Sequence, residues 1–266
     1  MEKSADIFRF KQFSVVNKRS AMKVNTDGVL LGALMTILPE DRKFLDIGTG
    51  TGTIALMAAQ RLAHISVEQG ISCPQTVDAI DIDEPSVTEA ASNFRNSPWD
   101  DILHAHHASL DEFSTQITES GVNIGSGHDT DCSKGYDLIF SNPPYFDCSL
   151  QAPEERRNKA RHTSTGLSYR EILDFAAEHL TSTGRVAMVL PADTEHDLTR
   201  HARMSGLHLY KITRIRTVPR KAPSRIVAEF SRHRTAAPED TILTIQDGGQ
   251  YTQEYLDLMH EFYLFA

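Results

Sequence analysis

The four residues Asn142-Pro143-Pro144-Tyr145 close an apolar run, Tyr136-Asp137-Leu138-Ile139-Phe140-Ser141, and their types suit one kind of chemistry. A planar exocyclic amine is a poor nucleophile because its lone pair is delocalised into the neighbouring ring or carbonyl. It attacks a methyl sulfonium when two hydrogen-bond acceptors draw its N–H groups toward tetrahedral geometry and an aromatic face holds the base. The Asn142 side-chain oxygen and the Pro143 backbone carbonyl are the candidate acceptors, since proline offers no N–H and two prolines stiffen the turn. Tyr145 is the candidate stacking platform. Asn and Pro favour turns in any protein, so the reading leans on a second motif upstream.

That motif is Asp46-Ile47-Gly48-Thr49-Gly50-Thr51-Gly52. A strand, then G-x-G-x-G, then a helix marks a dinucleotide-like site, where glycines let the backbone approach a ligand without Cβ clashes. The acid at the strand end narrows the ligand. A carboxylate there would repel a dinucleotide's pyrophosphate, whereas S-adenosylmethionine lacks phosphate and carries a cationic ammonium and sulfonium. Asp46, Gly48 and Gly50 are thus candidate cofactor-binding residues. Asp81, closing the next strand, is placed to accept both ribose hydroxyls, with Asp83 as its rival. Ser109 follows the third strand, where such enzymes commonly place an acid near the adenine amine; Asp111 comes two residues late.

The elements that must hold these residues alternate along the chain. Apolar runs predict strands at 43–47, 77–81, 102–108, 136–141, 185–190, 207–218 and 224–232, and amphipathic stretches predict helices at 51–62, 84–94, 169–180 and 194–204. This is the α/β pattern of a largely parallel sheet covered by helices. The last two strands leave no room for a helix between them, which predicts an antiparallel hairpin at one edge. Stretches 66–76 and 121–135 fall outside the rhythm and read as surface insertions. At 266 residues a single domain is expected, with an N-terminal segment 1–36, a core 43–232 and a C-terminal extension 233–266.

The net charge of −9 argues against a nucleic-acid partner, yet the charges are segregated. Between residues 7 and 26 only cations occur: Arg9, Lys11, Lys18, Arg19 and Lys23. A second cluster holds Arg156, Arg157, Lys159, Arg161 and Arg170, and residues 200–234 carry ten cations against Glu229. Screening lengths of about 8 Å let such patches act locally, and Arg161, Arg214, Arg216 and Lys221 are the candidate RNA contacts. The three cysteines form no C-x-x-C pair, and in His104-Ala105-His106-His107 only the first and third histidines share a strand face, so no metal is expected. No signal or membrane-spanning stretch is indicated at the start, which predicts a cytoplasmic protein. Phe262, Tyr263, Leu264 and Phe265 at the end of the chain could stack on bases, but terminal aromatics more often pack onto a core, and packing is expected.

With these motifs the chain resembles class I S-adenosylmethionine-dependent methyltransferases and, more narrowly, the bacterial tRNA(Val) adenine-N6 methyltransferases that act beside the anticodon. The narrower resemblance is carried by residues 8–13 and 23–33, by Ala160-Arg161-His162 and Lys221-Ala222-Pro223-Ser224-Arg225, and by 251–255 and 261–265. It implies a Rossmann-like fold with a seven-stranded, mostly parallel sheet, an antiparallel edge hairpin and helices on both faces. It also implies methylation of the N6 amine of adenine 37 in a tRNA anticodon stem-loop, with S-adenosylmethionine as cofactor. On that basis Asn142, Pro143 and Tyr145 take the base, Asp46, Gly48, Gly50 and Asp81 hold the cofactor, and residues 23–33, Asp27 among them, lie over its methionine end. The departures are the two insertions and Ser109. Rival readings are a protein-glutamine methyltransferase acting on release factors, a ribosomal-RNA guanine-N2 enzyme, and a catalytically silent RNA-binding module.

Overall fold

In a computed structural model, which describes residues 6–20, 22–70, 74–120, 135–144 and 167–266, the chain begins with an antiparallel hairpin of β1 (Ile7–Arg9) and β2 (Ser14–Val16) and a short helix α1 (Thr26–Leu34). Strands and helices then alternate: β3 (Lys43–Ile47), α2 (Thr53–Gln69), β4 (Thr76–Asp81), α3 (Glu84–Arg95), β5 (Leu103–His107), α4 (Leu110–Ser120) and β6 (Tyr136–Ser141). After them come α5 (Tyr169–His179), β7 (Leu180–Pro191), α6 (Glu195–Met204), β8 (His208–Arg216), β9 (Arg225–Ser231) and β10 (Glu239–Thr244). A minor hairpin, β11 (Gln246–Asp247) with β12 (Gln250–Tyr251), leads into α7 (Gln253–Met259).

The central sheet has the order β10-β8-β9-β7-β6-β3-β4-β5, and β9 alone runs against the rest. The four central residues Phe44, Leu45, Asp46 and Ile47 are all buried, as expected of a strand covered on both faces. One apolar layer joins the sheet to α1, α2, the β1–β2 hairpin and α7; the other joins it to α4, α5 and α6. Chain order leaves β3 toward β4 and β5 on one side, then returns to β6 on the other. The carboxyl ends of β3 and β6 therefore flank the topological switch point, where open α/β sheets bind ligands.

Helix starts follow local chemistry. Asp83 caps α3 by accepting from Ser86 N, with Pro85 in the first turn, and Ser168 and Glu171 form a capping box on α5. Such a cap contributes about 1 kcal/mol.

The sheet differs from expectation at one edge. The β8–β9 hairpin lies inside the sheet, and β10 adds an eighth strand parallel to β8. Its first four residues, Glu239-Asp240-Thr241-Ile242, are exposed, so no apolar run announces it. The C-terminal stretch 233–266 thus completes the sheet, and its Phe262 is buried in the first layer while Tyr263 stacks on Phe10. Phe265, by contrast, is exposed. Helix α2 runs through Ser66 to Gln69, which were expected to belong to an insertion; it stops only where Gly70 takes the left-handed conformation. Most of 121–135 lies outside the described residues.

Candidate active site

The glycine turn is fixed at the end of β3. Gly48 N and Thr49 N both donate to Ile80 O on β4, at 2.9 and 3.0 Å. Gly48, Gly50 and Gly52 adopt φ of 72°, 56° and 79°, a region other residues enter at a cost. A Cβ on Gly52 would also lie 2.5 Å from the Phe94 ring, so the turn packs directly on α3.

Asp46 is completely buried beneath this turn. Its Oδ2 accepts from Thr49 Oγ1 at 2.7 Å, while Oδ1 has no hydrogen-bond partner. Burial pushes its carboxyl up to about 7, opposed by the Thr49 hydroxyl and the Ala55 backbone N–H and reinforced by the charge of Asp81. Asp81, at the end of β4, accepts from Gly50 N at 2.9 Å through Oδ2 and from Asp83 N at 2.9 Å through Oδ1. Its carboxyl too is raised by burial. Asp83 is engaged elsewhere, since its Oδ2 holds Ser86 N and Ser86 Oγ at 3.0 and 2.6 Å.

Two neighbouring carboxyls, one with an orphaned buried oxygen, make a site that a cation with N–H donors would satisfy. The ammonium of S-adenosylmethionine has that character and its sulfonium adds positive charge, so the acceptor set fits the cofactor.

Ser141 Oγ donates to Ile47 O at 2.7 Å, which locks the end of β6 against the end of β3 and carries Asn142 to the glycine turn. Asn142 and Pro143 are buried. The Asn142 amide nitrogen faces Asn25 Oδ1 at 3.4 Å and Met22 Sδ at 3.7 Å. Asn25 Oδ1 also caps α1 by accepting from Gly28 N at 2.8 Å. Asp27, in the first turn of α1, accepts from Arg225 Nε at 2.9 Å. Tyr145 and Arg161 lie outside the described residues.

Three residues that sequence reasoning missed bring the N-terminal segment over the turn. Glu89 on α3 is buried, and its carboxylate accepts from Lys18 N, Arg19 N and Ser20 N at 2.8, 3.0 and 3.0 Å. Asn93 accepts from Val16 N and donates to Val16 O and Thr51 O. Ser86 Oγ lies 2.9 Å from Ser20 Oγ. The signal was present: Ser86, Glu89 and Asn93 form a polar stripe, at helical spacing, beside the apolar Val87, Ala90 and Phe94. Beyond Ser20, the Met22 carbonyl lies 3.5 Å from the position of a Cβ on Gly50. The segment therefore joins the glycine turn to Asn142.

Other expected site residues are engaged structurally. Ser109 caps α4: its N and Oγ both donate to Glu112 Oε2 at 2.8 Å, and Oγ accepts from Glu112 N. Arg214 is bidentate on Glu195 at 2.6 and 3.0 Å and also pairs with Asp240, so one cation meets two acids. That geometry makes Arg214 an internal tie between α6, β8 and β10. Arg216 donates to Thr244 Oγ1 and Pro219 O. Lys221 is exposed in the β8–β9 turn. His106 Nε2 lies 2.9 Å from Asp78 Oδ1, whose other oxygen accepts from Tyr136 OH. Among the described residues no group of His, Cys, Asp and Glu could hold a metal, and no helix is long and apolar enough to cross a membrane.

No protein-family model matches the chain. Among solved structures it is similar to a predicted O-methyltransferase from Agrobacterium tumefaciens, with TM-score 0.59, 14% identity, and 89% of this chain and 96% of that one covered. It is also similar to the T. thermophilus 16S rRNA N2 methyltransferase in complex with AdoMet and guanosine, with TM-score 0.50, 18% identity, and 83% and 47% covered. These likenesses concern the fold. Sequence relatives are nearer: the tRNA1(Val) (adenine(37)-N6)-methyltransferase of Flavobacterium johnsoniae is 38% identical over 97% of this chain and 99% of that protein. Its counterparts in Flavobacterium psychrophilum and Photobacterium profundum are each 36% identical, over 97% of this chain and 99% and 98% of theirs. With near-complete coverage in both directions and a glycine turn and Asn142-Pro143-Pro144 meeting at one switch point, this chain belongs to the tRNA1(Val) (adenine(37)-N6)-methyltransferase family.

Proposed function

We propose that the chain methylates the exocyclic N6 amine of adenine 37 in tRNA(Val), in the cytoplasm, using S-adenosylmethionine as methyl donor. The observation that carries this reading is the 2.7 Å bond from Ser141 Oγ to Ile47 O, which brings Asn142 and Pro143 to the rim of the glycine turn.

When bound, S-adenosylmethionine supplies an electrophilic methyl on a positively charged sulfur. Asp46 answers its ammonium, Asp81 the ribose hydroxyls, and Gly48 and Gly50 let the main chain come close. Capping of α3 by Asp83 favours Asp81 for the ribose. Asn142 Oδ1 and Pro143 O accept the two amine hydrogens and turn the nitrogen lone pair toward the methyl carbon; Tyr145 stacks on the base. No strong general base is needed, because the nitrogen loses its proton after the carbon–nitrogen bond has formed. Orientation then supplies most of the rate. An anticodon-loop adenine is already partly unstacked, so presenting it to the corner costs less than extraction from a duplex.

Nucleoside mass spectrometry of tRNA from a strain lacking this chain tests the reading. Loss of N6-methyladenosine from tRNA(Val) is expected; unchanged tRNA with an undermethylated release factor would overturn it in favour of a glutamine methyltransferase. In the purified protein, Asn142→Ala is expected to lower methyl transfer by at least about 100-fold, with S-adenosylmethionine affinity by calorimetry within a few-fold of the parent.

A further inference from the structure

The cations of this acidic chain are sorted by the fold. With three successive N–H groups turned onto Glu89, the side chains of Lys18 and Arg19 are exposed beside the glycine turn. Lys23, also exposed, reaches back to Asn17 O at 2.9 Å and closes the segment on itself. Glu89, the acid beneath this basic strap, is buried and accepts from three of its backbone N–H groups. On the other side of Asn142, the turn from β8 to β9 exposes Arg220 and Lys221. That turn is held at the carboxyl edge of the sheet by Ser224, which donates to Ile215 O and accepts from Ala192 N. It is tied to α1 through the 2.9 Å Arg225–Asp27 contact, and α1 is capped by the same Asn25 that faces Asn142. Arg232 and Arg234, in the same sequence cluster, follow the carboxyl end of the reversed strand β9 and so lie at the opposite edge.

We infer that Lys18 and Arg19 on the strap, with Arg220 and Lys221 on the β8–β9 turn, form a two-sided phosphate clamp that grips the RNA backbone on either side of the nucleotide presented to Asn142. This rests on the tRNA reading above. Two short cationic arms, about one Debye length in range, attract phosphates at the site while the remainder of the acidic surface repels them. The clamp therefore sets register as well as affinity.

The test compares three double variants: Lys18→Ala with Arg19→Ala, Arg220→Ala with Lys221→Ala, and the control Arg232→Ala with Arg234→Ala. Alanine keeps the N–H groups that bind Glu89. Equilibrium binding of tRNA(Val) transcript is measured over a salt series by fluorescence anisotropy, with KM and kcat for methyl transfer and calorimetry for S-adenosylmethionine. Each clamp pair is expected to weaken tRNA binding and raise KM about tenfold and to lower the log–log salt slope by about 1 to 2. kcat and cofactor affinity should stay within twofold, and the control should match the parent. Unchanged binding and salt slope in either clamp pair, an equal loss in the control, or no tRNA binding by the parent would each overturn the clamp. Because binding is read without turnover, a parent that binds tRNA but does not methylate it would refute the enzymatic reading separately, leaving the clamp to stand or fall on the slopes.

Discussion

The two edges of the central sheet both bury charge, and they do so in opposite ways. At the amino edge, acids sit among bases: Asp41 pairs with Arg185, and Glu229, which accepts from Thr36 N and Oγ1, feels the charges of Lys211 and Arg185. Arg61 closes the end of α1 by donating to Gly32 O and Met35 O, and burial pulls its guanidinium down to about 10. At the carboxyl edge, the charged neighbour of Asp46 is another acid, Asp81. Buried acid against buried base makes a joint that holds structure together; buried acid against acid is a cost that protonation or a cationic ligand relieves.

Breaking the amino-edge pair should have the largest effect. Arg185→Met leaves Asp41 buried without its partner and is expected to cost on the order of 3–5 kcal/mol in urea unfolding, with kcat per folded molecule unchanged. A parallel fall in kcat would mean that this edge is part of the site.

Asp46→Asn is expected to act in the reverse sense on stability. A carboxyl raised from 3.8 to about 7 on folding binds its proton more tightly in the folded state, so it lowers stability progressively as pH rises from about 4 to about 7 and holds that cost above. The variant should therefore match the parent below pH 4 and exceed it by up to about 4 kcal/mol at pH 8, while losing S-adenosylmethionine affinity. In the parent, calorimetry at pH 6 in buffers of different ionisation enthalpy should show proton release on cofactor binding. Equal pH profiles for parent and variant would remove the distinction between the edges.

Smaller again is Asn25→Ala, which removes the α1 cap and the contact to the Asn142 amide. About 1 kcal/mol of stability should be lost, and kcat should fall more than S-adenosylmethionine affinity does; equal loss of both would mark Asn25 as a cap only. The smallest effect belongs to Arg214→Gln. With its partners partly exposed, the change should cost within about 1 kcal/mol and leave the salt dependence of tRNA binding intact; a lower salt slope would return Arg214 to the RNA surface.

What could be read in advance has a local cause. The strand at Lys43–Ile47, the glycine turn after it, Asp81 at the end of β4 and Asn142-Pro143 after β6 are each legible within a few residues, because apolar runs, positive-φ glycines and prolines encode their own geometry. The β10 strand was hidden by its polar residues. Helix α1 carries an almost uniformly apolar stretch, Gly28 to Leu31, with no amphipathic signal.

By itself, then, the sequence determined where the central strands lie along the chain, the glycine turn and the proline-stiffened corner after β6, since each depends on neighbours along the chain. Tertiary structure decided which acid caps α3 and which holds the glycine turn, which arginines are locked in ion pairs, and that Glu89 and Asn93 carry the N-terminal segment across the turn from 69 to 77 residues away. Those outcomes depend on which groups burial brings together and leaves unsatisfied. That balance exists only once the chain has closed on itself.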